Sequence, residues 1–309
     1  MNVTSWMKKE DSGLARTTLE LVKATEEAGH RVCLRQPGDG MPIYHPNEET
    51  DIHTIHSQLH PSVYHDGIPK VLWLHGEALS SVGNGISMRA IVDLAPMCSA
   101  FLAMRREEIS IWRDVCPTHY VGKGVDLDVY TPADGIIERL SGEPAVLYIE
   151  NMRGQRNPLY LILAMREVYK KYPKARFHIY NCVDKRMYET FKGFIDHAKY
   201  GLFVRSLQGP VADVPSLIQK VDIVVSALHP LYARTPLEAL ACGKAAICAG
   251  YNEPEYPWKV RDYSPEGFAD TIIECWEKYD HIDYRKYAET YHDVKQCVKN
   301  ALEVYKRFV

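Results

Sequence analysis

The sequence predicts an α/β protein built of two doubly wound, largely parallel sheets. Three observations carry that prediction. Strand-like segments alternate with segments of helical periodicity along the chain. Several strand-like runs are continuously apolar, as in a parallel sheet covered on both faces; VLWL at 71–74 and IVVSAL at 223–228 are examples. A polar stretch bearing Pro and Gly, TPADGIIERLSGEP at 131–144, divides the alternation into two series. The length agrees: 309 residues make two domains at roughly 100–200 residues each.

The first series opens with MNVTSWM, short and β-prone, then a polar turn containing Gly13. In LARTTLELVKATEEAGH the residues Leu14, Leu21 and Ala28 recur at helical spacing with Val22 beside them, and Gly29 ends the helix. RVCLRQP, DIHTIHS, KVLWLHG, SAFLAM and THYVGKGV are the following strands. After the linker, AVLYIE is a strand, PLYLILAMREVYKKYP a helix and ARFHIYN a strand. GLFVRSL and DIVVSAL are strands around the helix VPSLIQKV. TPLEALACG begins a helix, KAAICAG is a strand and SPEGFADTIIECWEKY a helix. The closing segment, DYRKYAETYHDVKQCVKNALEVYKRFV, is amphipathic and helical by pattern. The expected division is 1–135, 136–285 and a terminal helix over 286–309. Two such domains leave a cleft, and in sheets of this kind ligands sit beyond the carboxyl ends of the strands.

Composition limits the partners. A formal charge of -3 argues against nucleic acid as the main partner. The eight cysteines form no CxxC pair and no zinc spacing, so a reducing cytoplasm is expected. The first residues show no apolar signal-peptide core and no stretch is long enough to span a bilayer, while peripheral membrane contact stays open.

Chemistry concentrates in the loops after strands. In HPLYARTPLEALACG, Thr235, Pro236 and Glu238 have the spacing of a capping box, T-x-x-E, with Glu238 reaching back to the Thr235 amide. The same spacing suits an anion site, with free amides over 232–237 holding a diphosphate and Glu238 gripping a ribose diol. In YIENMRGQRNP, Arg153 and Arg156 are either solvated surface charges or forks for phosphate oxygens. His75 ends the strand VLWLH, as a satisfied structural group or as a donor to a ligand oxygen, with Glu77 behind it. Gly13 allows close backbone approach. His53, His56, His60 and His65 lie close together, but His53 and His56 fall on opposite faces of a strand, against a shared zinc ion. Asp126 and Asp128 form a D-x-D for which turn and capping roles fit better than a cation.

In order along the chain, these segments resemble the retaining glycosyltransferases of the GT-B fold, in particular glycosyltransferase family 4. SGLARTTLELVKATEEAGHRV is similar to that family's glycine turn, helix and GH-x-V strand, and VLWLHGE to its strand ending in histidine. YVGKGVDLDVYTP resembles a segment with the pattern nGvD…F-x-P, with Lys123 where asparagine is usual. LYIENMRGQRNP resembles the phosphate loop, and PLEALACGKAAI the lEAmA-G-PVi segment.

The resemblance implies two Rossmann-like domains with the last helix crossing back to the first. It implies a nucleotide-sugar donor, UDP- or GDP-sugar, no metal and no further cofactor. It assigns Glu238 to the ribose, Arg156 to the diphosphate, His75 to the donor's sugar and phosphate, and Gly13 to the turn between donor and acceptor. Asn151, Arg153, Tyr232, Ala233, Arg234, Thr235 and Leu237 complete the expected nucleotide site. Two departures stand out: the family's donor-sugar glutamate is Pro230 here, and its GR pair is Glu150–Asn151. A degenerate nucleotide-sugar-binding protein is therefore the alternative to an enzyme. Among acceptors a glycan, a lipid-linked or a small hydroxyl compound is expected, with a hydroxymethylated DNA base as the second choice.

Overall fold

The computed structural model describes residues 1–6, 13–35, 50–56, 64–75, 88–150, 158–180, 185–209, 211–227, 234–249 and 256–309. The chain divides into two compact units: residues 1–126 with 291–309, and residues 127–290.

The first unit contains β1 (Asn2–Trp6), α1 (Gly13–Glu27), β2 (Arg31–Arg35), β3 (Ile52–Ile55), β4 (Lys70–Leu74), α2 (Met88–Leu94), β5 (Ala100–Ala103), α3 (Arg106–Trp112) and β6 (Thr118–Tyr120). The strands form one sheet in the order β2-β1-β3-β4-β5-β6, every pairing parallel. The order reverses at β1, which places the topological switch point between β1 and β3. α1 ends at Gly29, whose φ of +84° is a left-handed conformation open to glycine at little cost. There the Gly29 and His30 amides take up the carbonyls of Glu26 and Thr25.

The second unit contains β7 (Ala145–Tyr148), α4 (Leu159–Lys171), β8 (Arg176–Ile179), α5 (Lys185–His197), β9 (Val204–Leu207), α6 (Val214–Gln219), β10 (Ile223–Ser226), α7 (Thr235–Ala241), β11 (Ala245–Cys248), β12 (Trp258–Lys259), α8 (Pro265–Glu277) and α9 (Tyr284–Tyr291). The sheet order is β12-β11-β10-β7-β8-β9, again parallel throughout. Counted from β7 this is the doubly wound order 3-2-1-4-5-6, with the switch point between β7 and β10. The α/β class and the two doubly wound sheets are as the sequence predicts.

The final helix, α10 (Val294–Tyr305), belongs to the first unit. Its Val298, Ala301, Leu302 and Tyr305 pack with Val3, Leu21, Val71, Trp73 and Leu102 in one buried cluster. The indole N–H of Trp73 donates to the Tyr305 hydroxyl at 2.9 Å. The closing segment is thus two helices, α9 and α10, where the pattern predicts one. Asp293 interrupts it by capping α10, its carboxylate accepting from the Lys295 amide at 2.8 Å. Other elements that the pattern does not give are α2, α3, α5 and the two-residue β12.

Candidate functional site

The switch point of the second unit brings two side chains together. Glu150 follows β7 and Ser226 ends β10, on the two strands that flank the reversal. The Ser226 hydroxyl donates to Glu150 Oε1 at 2.6 Å, and both residues are buried. A carboxyl side chain therefore stands at the strand end where the resemblance places a glycine. On β11, the next strand, burial pushes the Cys248 thiol up to about 12, so it stays protonated at neutral pH.

Glu238 lies in α7, in the connection after β10. The helix consists of small and apolar side chains, all seven buried, so the carboxylate is the one acidic group in its first turn. Its partners differ from the capping box expected. Thr235 is the first residue of the helix instead of its cap, the residue before it is Arg234, and no side chain caps the end. Glu238 Oε1 instead accepts from the Arg234 Nε at 2.6 Å and from the Tyr130 hydroxyl at 2.8 Å. The guanidinium also lies over the Tyr130 ring, 5.8 Å from its centroid. A buried carboxylate needs such neutralisation, and a charge four residues back on the same helix face supplies it.

Tyr130 is fixed from behind. The Arg285 guanidinium, on α9, donates to the carbonyls of Tyr130 (2.7 Å), Ala241 (2.6 Å) and Leu127 (3.2 Å). One side chain thereby joins the segment entering this unit to the end of α7. Leu237 and Thr235 are buried in the same helix, and Arg234 is half-buried at its start. Asn151, Arg153, Arg156, Tyr232 and Ala233 lie outside the described residues, as do Glu77 and Pro230.

In the first unit, His75 follows β4 and is half-buried. His56 follows β3, the neighbouring strand, and the two rings meet with Nδ1 of His56 3.2 Å from Nε2 of His75. The His56 ring also stacks on Trp73, centroids 5.5 Å apart and planes 20° apart. Burial pushes the His56 imidazole down to about 3, and burial, then the neighbouring His56 and Lys123, pushes His75 well below its ordinary value. Both are neutral at physiological pH. Gly13 is the first residue of α1.

Two of the four histidines considered for zinc have other partners. His53 pairs with Asp66 (2.8 Å) and His56 with His75, while His60 lies outside the described residues. Asp126 accepts from the Lys23 ammonium at 2.7 Å and is buried, a structural tie between α1 and the segment after β6. Among the described residues no group of three or more His, Cys, Asp or Glu side chains is placed to hold a metal ion. No helix among them is long and apolar enough to cross a membrane.

Sequence reasoning missed Tyr130 and Ser226 and weighed His56 only as a zinc ligand. The signal for His56 was present: it ends a strand as His75 does. For Tyr130 the signal was its place in the VYTP segment, where the resembling pattern has phenylalanine and so no hydroxyl.

Comparison with known proteins bears on the second unit most directly. Residues 143–278 match the family model described as Glycosyl transferases group 1. A search of curated proteins gives no match. Among solved structures, a glycosyltransferase from Rickettsia africae ESF-5 superposes with a TM-score of 0.76 at 15% identity, covering 99% of this chain and 98% of the other. Anabaena Alr3699/HepE in complex with UDP-glucose gives a TM-score of 0.74 at 14% identity, over 99% and 100% of the two chains. Sucrose-phosphate synthase from Thermosynechococcus elongatus gives 0.70 at 12% identity, over 99% and 98%. At such identities the likeness is one of fold, the GT-B fold of two Rossmann-like domains. The chain therefore has the GT-B fold, and its residues 143–278 match the family model described as Glycosyl transferases group 1.

Proposed function

We propose that the protein is a retaining glycosyltransferase, moving a sugar from a nucleotide-diphosphate sugar to an acceptor hydroxyl without a metal ion. The observation that carries this reading is the family match over 143–278, the segment that holds Glu238. Relatives in fold were solved with UDP and with UDP-glucose, which favours a uridine donor, with GDP-sugar next. The second unit binds the nucleotide. Glu238 accepts the ribose hydroxyls. Arg156 and Arg153, with Asn151, Tyr232, Ala233, Arg234, Thr235 and Leu237 around them, receive the diphosphate. The first unit, with Gly13 and His75, serves the acceptor and the transferred sugar.

Cleavage of the donor leaves a nucleoside diphosphate, so negative charge grows on phosphate oxygens, where arginine forks stabilise it. No pair of carboxylates flanks a reacting centre in this reading, so a covalent glycosyl-enzyme is not part of it. The acceptor attacks the face from which the phosphate departs, and the phosphate takes the acceptor's proton. A neutral His75 can donate to, or accept from, a sugar hydroxyl but carries no charge to the phosphate. The acceptor is a glycan, a lipid-linked or a small hydroxyl compound, and the cytoplasm is the compartment this reading expects.

One observation favours the second reading, a nucleotide-sugar-binding protein without turnover: the Glu150 carboxylate at the strand end facing the proposed diphosphate. A thermal-shift screen against UDP, GDP, ADP, CMP and their sugars tests both. A ligand at about 100 times its dissociation constant adds roughly 2.7 kcal/mol of stability. A shift with slow donor hydrolysis or transfer supports the enzyme; a shift without turnover supports the binding protein; no shift with any nucleotide overturns both.

A further inference from the structure

Two hydrogen bonds converge on one oxygen. Tyr130 and Arg234 both donate to Oε1 of Glu238; the tyrosine bond is buried and the arginine bond partly so. A carboxylate offers about four acceptor positions on two oxygens, so this pairing consumes one edge and leaves Oε2 as the edge for any further donor. The two donors hold the group differently. Arg234 sits one helical turn from Glu238 and moves with the same helix. Tyr130 comes from 108 residues away in sequence and is anchored by its own carbonyl to Arg285. The tyrosine hydroxyl therefore ties the carboxylate to a segment outside α7.

We propose that Tyr130 is a positioning residue for nucleotide recognition: its hydroxyl holds Glu238 so that Oε2 meets the ribose hydroxyls of a nucleoside diphosphate. The proposal rests on the reading of Glu238 as the ribose-binding group. Geometry of this kind matters because two donors on neighbouring carbons must both reach one small acceptor. A carboxylate free to rotate loses part of that interaction as ordering entropy, whereas one held by a charged-group hydrogen bond does not. Arg234 keeps the buried charge neutralised whether or not the hydroxyl is present, so removing the hydroxyl alters orientation more than folding.

Tyr130→Phe deletes that one oxygen, and Glu238→Gln tests the underlying reading. Binding of UDP and of 2′,3′-dideoxy-UDP is measured by calorimetry for the wild type and both variants, with the melting temperature of each. The expected result is a loss of about 5- to 10-fold in UDP affinity for Tyr130→Phe and a larger loss for Glu238→Gln. The dideoxy ligand should bind all three proteins nearly equally. If Tyr130→Phe weakens UDP and the dideoxy ligand alike, the tyrosine only packs the site and the proposal falls. If Glu238→Gln loses UDP while Tyr130→Phe binds as wild type does, the proposal falls and the ribose reading stands. If Glu238→Gln binds UDP unchanged, or if the wild type binds neither ligand, the ribose reading fails and the proposal with it.

Discussion

His56 and His75 end adjacent strands of the first sheet with their facing ring nitrogens 3.2 Å apart. One of those nitrogens carries the hydrogen and the other accepts it, so the tautomer of one ring dictates that of the other. If His75 donates from Nε2, its Nδ1 is an acceptor; if it accepts, Nδ1 is a donor. Both rings cannot be cationic at that separation without strong repulsion.

Burial of His56 sets a pH dependence of stability. The folded state holds His56 down to about 3 through burial, whereas the unfolded chain protonates it near 6.5. The unfolded state thus binds the proton first. The stabilisation is complete above pH 6.5 and is lost as the pH falls from there toward 3. At about 1.4 kcal/mol per pH unit, His56 alone accounts for about 2 kcal/mol between pH 6.5 and 5. His53 and His75, also depressed mainly by burial, act in the same direction. Urea titrations at pH 7.5, 6.5 and 5 should show that fall, and His56→Phe should flatten it.

Asp66 anchors a second buried group, accepting from His53 Nε2 (2.8 Å) and from the Lys70 ammonium (2.7 Å). Burial alone would raise its carboxyl, but the hydrogen bonds from Lys70 and His53 outweigh it and hold the group below its ordinary value. Asp66→Asn leaves the Lys70 ammonium buried without its counter-charge. We expect a loss of about 3 kcal/mol, read as a lower denaturation midpoint. Asp66→Asn with Lys70→Met should recover much of it.

Tyr305→Phe removes the acceptor of the Trp73 indole N–H inside the first core. The donor is then buried without a partner, at a cost of about 1–3 kcal/mol. Chemical denaturation followed by tryptophan fluorescence should show this, with nucleotide binding unchanged.

Glu150→Gln replaces an ionisable carboxyl near the proposed diphosphate with a neutral amide while keeping an oxygen to accept the Ser226 hydroxyl. The expected outcome is a nucleoside diphosphate affinity about 5- to 10-fold higher at low salt, with the gain shrinking as ionic strength rises. Calorimetry with UDP at two salt concentrations checks it. An unchanged affinity would place the diphosphate away from this strand end.

The strands were legible because parallel strands buried on both faces leave continuous apolar runs; KVLW and DIVVSA carry that signature, and β4 and β10 follow it. Helices with a full apolar stripe were legible too, as in α4 with Leu161, Met165 and Val168 buried at helical spacing. The short helices α2 and α3 were not: each has only seven residues and, unlike α7, no Thr-Pro start to mark it. The break between α9 and α10 rests on a single cap at Asp293 inside an otherwise continuous amphipathic pattern.

The candidate site was legible only as far as local pattern reaches. Thr235 and Glu238 have the spacing of a cap, and nothing nearby in sequence reveals that Glu238 is held instead by Tyr130, 108 residues distant. The pairing of His56 with His75 likewise follows from two strands lying side by side, which spacing along the chain does not encode.

The assignment of residues 291–309 to the first unit has a consequence for how the chain matures. The opening 126 residues leave the ribosome long before the helix that covers Val3, Leu21 and Trp73 has been translated. Until then that nascent sheet presents bare apolar surface, while the 127–290 unit already has every strand and helix it needs. Completion should therefore run against the order of translation, the later unit acquiring structure first. A stalled or prematurely terminated product would be a natural client for holding chaperones.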